Sequence, residues 1–282
     1  TKLLEVLTEI IDFCFKGRTK DFIKVDVRGN AYWCEESNTT KERKYFKADV
    51  IKAVKFLLDN CFFTIGDKVL KQVIGIPMGG DPAPFWANLL LFSFEHKWMK
   101  RMRQTDNLLA RKFSHTFRYI DDLLAINDGN MFEKYHKDIY PVELQLKKEN
   151  STFNTCSFLD IKIDIINNSF VTSLYDKRDD YQFRIVRLPY RSSNIPKKMF
   201  ISSIVTEILR IARVTSTFQS FLQSAQTLIG GMIYQGAQVL AIKSSLDRII
   251  KKHLEDFLKY SLPTEVILSS IFALTLTNSV SE

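Results

Sequence analysis

Apolar residues recur at Leu3, Leu4, Leu7, Ile10, Ile11, Cys14 and Phe15, the spacing of a helix with one buried face over residues 2–16, and Gly17 is a natural stop. The run F-I-K-V-D-V-R-G-N-A-Y-W alternates about Arg28-Gly29-Asn30 and predicts a β-hairpin. A polar exposed loop is expected at 35–44 and an amphipathic helix at 47–60. F-F-T-I-G-D-K-V-L-K-Q-V-I reads as a second hairpin turning at Gly66-Asp67. A Gly/Pro-rich turn leads into a helix over 83–102, and two strands flank Asp121 and Asp122. A short helix near 130–137 precedes L-Q-L-K-K-E, read as a strand carrying Lys147, and C-S-F-L-D-I-K-I-D-I-I and F-V-T-S-L-Y follow as strands. Beyond Ser193 the pattern is helical, with helices expected at 197–213, 215–229, 237–259 and 264–276 and breaks near Gly230-Gly231 and Pro263.

This pattern divides the chain into an α/β (α+β) region with a mixed or antiparallel sheet, residues 1–175, and an all-α region, residues 176–282. There is no internal repeat. The 45% hydrophobic and 26% charged composition of the 282 residues is that of a folded chain rather than a disordered one. A net charge of +8 favours a polyanionic partner, nucleic acid or an acidic membrane surface. The longest apolar stretches, near 85–94 and 264–276, are too short or too polar to span a bilayer, so no membrane is expected. Cys14, Cys34, Cys61 and Cys156 lie far apart, as do the four histidines, which argues against zinc and for reduced thiols in an intracellular protein. The chain opens without Met and without a helix cap, as expected of a piece of a longer protein.

F-R-Y-I-D-D-L-L-A-I, residues 117–126, places adjacent aspartates where two apolar β-type runs meet. Neighbouring carboxylates in an apolar setting repel one another unless a cation neutralises them, and Mg²⁺ prefers such hard oxygen donors. Two-metal phosphoryl transfer needs carboxylates that hold ions about 3.5–4 Å apart. The plainer alternative is an Asp-Asp pair that merely turns a surface hairpin. In Q-V-I-G-I-P-M-G-G-D-P-A-P-F-W-A-N, residues 72–88, glycines permit close backbone approach while Pro77, Pro82 and Pro84 stiffen the path into the helix. That entrance suits either polyanion binding by first-turn N–H groups or a rigid strand-to-helix connection.

Together these segments resemble the palm motifs of reverse transcriptases. G-I-P-M-G-G-D-P-A-P-F-W-A-N looks like motif B and F-R-Y-I-D-D-L-L like motif C, while the P-M-G form, S-F-L-D-I-K-I and S-L-Y-D-K-R-D-D-Y are similar to the Penelope-like, telomerase-related branch. The resemblance implies a polymerase palm followed by a thumb, copying an RNA or DNA template from a primer with dNTPs and Mg²⁺ or Mn²⁺. It makes Asp121 and Asp122 metal-site carboxylates, sets Tyr119 beside the primer end, and lines the template–nucleotide pocket with Gly79, Pro82 and Ala83. Lys147 matches the motif D lysine near the incoming triphosphate, with Lys148 competing, and Phe158-Leu159-Asp160 resembles the primer grip. Met78 stands where many reverse transcriptases carry Gln. The motif A aspartate is expected just upstream of Thr1; Asp26 lies on a strand in the wrong topological place, and Asp12 and Asp59 read as helix residues. The chain by itself is therefore expected to be inactive, with the missing N-terminal part or other subunits as partners. A domesticated remnant that binds nucleic acid or other subunits without catalysis, as a structural part of a larger assembly, is the second reading, and an RNA-copying RNA polymerase is disfavoured by the form of motif B. A nuclear rather than organellar location is expected.

Residues 176–213 hold nine Lys or Arg against four acids, a net +5 of the chain's +8. Lys177, Arg178, Arg184, Arg187, Arg191, Arg210 and Arg213 are the candidates for tracking a duplex backbone, the alternative being a solvated face with local ion pairs. The final apolar stretch is expected to pack on the thumb or on a partner.

Overall fold

The computed structural model describes residues 2–18, 22–34, 43–76, 79–150, 152–183, 185–186 and 188–273. It is a mixed α/β protein with small antiparallel sheets and a helical C-terminal region. Two compact units divide it, Thr1–Leu146 and Lys147–Glu282.

The first unit opens with α1 (Lys2–Phe15), whose Val6 and Leu7 are buried. The expected hairpin forms from β1 (Phe22–Val25) and β2 (Ala31–Cys34). Its turn is fixed by Asp26, whose carboxylate accepts from the backbone N–H groups of Arg28 and Asn30 at 2.8 Å and from Asn30 Nδ2 at 2.9 Å. The polar loop of 35–44 lies outside the described residues up to 42 and then becomes β3 (Arg43–Phe46), a third strand on the free edge of β1. The charged pair Arg43-Lys44 hides that strand from a hydrophobicity pattern, and its pairing with Val25 and Lys24 is a long-range backbone event. Then come α2 (Lys47–Asp59) and the hairpin β4 (Phe62–Ile65) and β5 (Lys68–Lys71), turning at Gly66-Asp67 as the sequence predicts.

Helix α3 (Ala83–Thr105) runs three residues beyond its predicted end, and Asp106 starts a further short helix, α4 (Asn107–Lys112), by accepting from Leu109 N–H at 2.9 Å. β6 (Thr116–Tyr119) and β7 (Asp122–Ala125) form the hairpin around the aspartates, and α5 (Met131–Ile139) follows. Trp98, Phe113, Ile139 and Tyr140 form the buried centre beneath these elements, and Leu123 packs against it from β7.

In the second unit β8 (Thr155–Phe158), β9 (Ile161–Ile166) and β10 (Ser169–Leu174) make an antiparallel meander. The strands belong with the helices that follow: Thr172 Oγ1 donates to Val214 O at 2.6 Å, and Ser216 N–H donates to Thr172 O at 2.9 Å. The unit boundary thus falls at 146/147, ahead of these strands, and not at 175/176 where the hydrophobic period changes. Four helices enclose one large core: α6 (Lys197–Val214), α7 (Phe218–Tyr234), α8 (Val239–Lys252) and α9 (Thr264–Ala273). Helix α7 passes through Gly230-Gly231, where a break was expected. Ile229 and Met232 on either side are both wholly buried, and that burial outweighs the roughly 1 kcal/mol that each glycine costs a helix. Helix α8 stops at Lys252 and gives way to two 3₁₀ turns, Leu254–Asp256 and Leu258–Tyr260. The apolar tail packs on its own unit, with Ile267, Leu268, Ile271 and Phe272 buried in that core.

Candidate metal centre and nucleic-acid surfaces

The β6–β7 hairpin closes through two residues, Ile120 and Asp121, with Tyr119 opposite Asp122. Ile120 has φ 52°, a left-handed conformation that is a steric outlier for a β-branched residue and costs about 1–3 kcal/mol. Something must hold it there. Arg118 does: its Nη1 donates to Ile120 O at 3.1 Å and to Asn88 Oδ1 at 2.7 Å, while Nε and Nη2 fork onto Glu95 at 2.5 and 3.1 Å. Glu95 in turn accepts from the Tyr140 hydroxyl at 2.6 Å. Burial first, and then the Glu95 carboxylate, push the Tyr140 phenol far above its ordinary value, so it remains a donor. The turn is thereby tied to α3 and to the aromatic centre through one largely buried guanidinium, 13% exposed.

Strand alternation explains the rest. Cross-strand partners share a face, so Arg118 and Leu123 point inward while Phe117, Tyr119, Leu124 and Asp122 form the outer face. Tyr119 is 56% and Phe117 50% exposed, which leaves two open rings beside a carboxylate. Asp121 and Asp122 are both exposed and, among the described residues, neither has a side-chain partner.

A second hairpin shows what such a turn looks like when its charge is spent. β8–β9 also closes through two residues, Leu159 and Asp160, with Leu159 at φ 58°. There, in the segment compared with a primer grip, Arg210 Nη1 donates to Asp160 at 2.9 Å. Asp26 is likewise committed: its bonds to Asn30 hold its carboxyl below the usual carboxylate range, so the turn, and not a metal, takes this residue.

Asp121 and Asp122 offer hard oxygen donors suited to Mg²⁺ or Mn²⁺. No third His, Cys, Asp or Glu gathers with them among the described residues. The group of three that does gather is His253, Glu255 and Asp256, but Asp256 is already forked by Arg213 at 3.0 Å.

Gly79 has φ 85°, as a tight turn into α3 requires. Pro82 caps the helix and Ala83 is buried, 5% exposed, with its N–H donating to Gly80 O at 3.0 Å. Because Pro84 has no N–H, this first turn has little left to offer an anion. Met78 and Pro77 lie outside the described residues. Lys147 sits on irregular backbone at the start of the second unit, where a strand was expected, and pairs with Glu149 at 3.3 Å. The stretch from Val142 to Glu149 is exposed throughout, so its apolar alternation finds no sheet to join. Of the basic candidates, Arg178 forks onto Asp176, Arg210 bridges Asp160 and Glu207, and Arg213 takes Asp256. Lys177 and Arg191 are described, whereas Arg184 and Arg187 lie outside the described residues.

Sequence reading overlooked Asn88, Glu95, Arg118 and Tyr140. The signal for Arg118 was present: alternation from Phe117 and Tyr119 turns an arginine inward, and an inward charge needs a carboxylate. No helix among the described residues is long and apolar enough to cross a membrane. No protein-family model, curated protein or solved structure matches the chain.

Proposed function

We propose that the chain is the palm and thumb portion of a reverse-transcriptase-type polymerase, an RNA-directed DNA polymerase in which Asp121 and Asp122 hold the catalytic divalent metal. The observation that carries this reading is the clamped Ile120-Asp121 turn, where a strained backbone presents two neighbouring carboxylates that have no partner among the described residues. Mg²⁺ bound there would supply charge neutralisation to a primer 3′-hydroxyl and a triphosphate. The protein's own part is positional. Arg118 fixes the turn, Leu123 anchors the strand, and the outer-face rings of Tyr119 and Phe117 offer a primer-terminal base or sugar a surface beside Asp122. In the same reading Gly79, Pro82 and Ala83 shape the template side, Lys147 approaches the triphosphate, and Lys177 and Arg191, which are not among the arginines held by carboxylates, face the duplex.

One Asp-Asp pair supplies fewer oxygens than two metals require, which favours a second reading: a remnant that binds metal and nucleic acid without extending a primer. Both readings predict no primer extension by the 282-residue chain alone. They share the test of the site itself. With Fe²⁺ in place of Mg²⁺, hydroxyl radicals should cut a bound primer–template next to the primer 3′ end and cut the polypeptide near residue 121. Asp121→Asn with Asp122→Asn should abolish both sets of cuts. Cleavage spread evenly along the duplex, or unchanged in the double variant, would overturn the assignment.

A further inference from the structure

Beyond the carboxylate hairpin, the described residues concentrate unpaired positive charge in a place that composition alone did not mark. Residues 97–112 carry Lys97, Lys100, Arg101, Arg103, Arg111 and Lys112 against the single acid Asp106. This is the same net +5 that residues 176–213 spread over more than twice the length. The two runs differ in what their charges touch. In the later run Arg178, Arg210 and Arg213 are each held by a carboxylate. In the earlier one Lys97 takes Glu9 at 2.7 Å, but Lys100, Arg101, Arg103, Arg111 and Lys112 are all exposed and have no side-chain partner among the described residues.

The acids nearby are otherwise engaged. Asp106 caps α4 through Leu109 N–H, Glu95 belongs to Arg118, and Asp138 lines a shallow hollow of about 160 Å³ with Lys97 and Arg101 without pairing with either among the described residues. Helix geometry keeps the cations off the buried face. At about 100° per residue, Lys100 points opposite Trp98 and Met102, which turn into the aromatic centre, while Arg103 lies on one flank and Arg101 on the other, beside the hollow that Trp98 also lines. The Trp98–Phe113 ring contact, 4.8 Å between centroids, then brings Arg111 and Lys112 alongside that stretch of α3. Cations in the last turn of a helix complement its dipole, which accounts for Arg103, Arg111 and Lys112 in part. It does not account for Lys100 and Arg101, nor for five charges left together without a counter-charge among the described residues.

We infer that the α3–α4 face is a nucleic-acid contact surface, binding the phosphate backbone without reading bases. Arginine makes up three of the five unpaired cations, and its planar fork suits phosphate oxygens. A membrane surface would need an apolar flank to insert, and among these residues only Leu108 is a strongly exposed apolar side chain, at 76%. Along α3 the patch begins about 8 Å beyond Glu95 and about 18 Å beyond Asn88, the two residues of that helix that meet Arg118. Its cations take no part in the carboxylate turn, so the inference stands whether or not Asp121 and Asp122 bind metal.

The test is binding of the 282-residue chain to a fluorescent 20-base-pair RNA–DNA hybrid in EDTA, followed by anisotropy across a salt series. Replacing Lys100, Arg101, Arg103, Arg111 and Lys112 together by Gln should weaken binding tenfold or more near physiological salt. It should also lower the slope of log affinity against log salt by about 3, as expected when most of five phosphate contacts are lost. A control removing the same charge elsewhere, at Lys52, Lys68, Lys243, Arg248 and Lys252, should stay within threefold of the parent. Restoring charge with Arg101→Lys, Arg103→Lys and Arg111→Lys in an otherwise unchanged chain should retain most of the affinity. The inference is overturned if the chain does not bind the hybrid, if the Gln variant binds like the parent, if the control loses as much, or if the same five residues instead govern tighter binding to phosphatidylserine vesicles. EDTA keeps this result independent of the carboxylates, so its failure and that of the metal site are distinguishable.

Discussion

In Lys147–Glu282 nineteen buried side chains among the described residues close one core, and three of the arginines that sequence singles out are held by carboxylates. In Thr1–Leu146, of similar length, the buried centre beneath the aspartate hairpin has four members, and both strands of β4–β5 are exposed along their whole length. The same residue types therefore do different work. Where packing is dense, charges are consumed in holding strands to helices. Where it is thin, a strained turn remains and, among the described residues, two carboxylates without partners and five unpaired cations are left available to something outside the chain. Strain and unspent charge persist at such places only when neighbouring structure fixes them, which is the role of Arg118.

Core truncations should separate the two units most widely. Phe221→Ala, at a wholly buried position, should cost about 3–5 kcal/mol by chemical denaturation, while Phe62→Ala on exposed β4 should stay within about 0.5 kcal/mol. Equal losses would mean that the first unit is packed as tightly as the second.

Next in size is the clamp. Arg118→Ala leaves Glu95 with Tyr140 but without its cation, and should cost about 3 kcal/mol. Arg118→Lys should recover only part of this, because a point charge cannot reach Ile120, Asn88 and Glu95 at once. Hydrogen exchange at Asp122 and Leu123 should quicken in both variants; an unchanged hairpin would separate the network from the turn.

Smaller effects come from alkali. Burial raises the Tyr260 phenol to about 12, and Tyr140 is raised as well. An unfolded tyrosine loses its proton near pH 10, before the folded one does. Stability is thus intact below about pH 10 and falls as pH rises toward 12. Tyr260→Phe should flatten that decline in the second unit and Tyr140→Phe in the first, read as stability against pH between 9 and 12. A decline as steep as the parent's in both variants would assign it to other groups.

Much of this was legible from the chain. Period and turn residues located α1, α2, α3 and the three hairpins turning at Gly29, Gly66 and the aspartates, because each is a local pattern that one buried face enforces. The aspartate pair and its turn were visible too. What was not visible depends on partners far along the sequence: β3 exists by pairing with β1, α7 survives two glycines because its flanks are buried, and the strands before residue 175 join the helices through Thr172. Charge was the least legible property. A run such as 176–213 looks basic on paper, yet its carboxylate partners include Asp160 and Asp256 from outside the run, whereas the cations of α3 and α4 meet no such partners among the described residues. Counting charges finds the runs; only the fold says which of them are spent.

Whether Asp121 and Asp122, which have no side-chain partner among the described residues, hold a divalent cation can be read from Mn²⁺ titration of the 282-residue chain followed by electron paramagnetic resonance. Saturable Mn²⁺ binding that Mg²⁺ competes away is expected. Asp121→Asn with Asp122→Asn should lose it while shifting stability by no more than about 0.5 kcal/mol, and Glu255→Gln in the His253–Asp256 group should keep it. Mn²⁺ binding that persists in the double variant, or is absent from the parent, would contradict a metal site at Asp121 and Asp122.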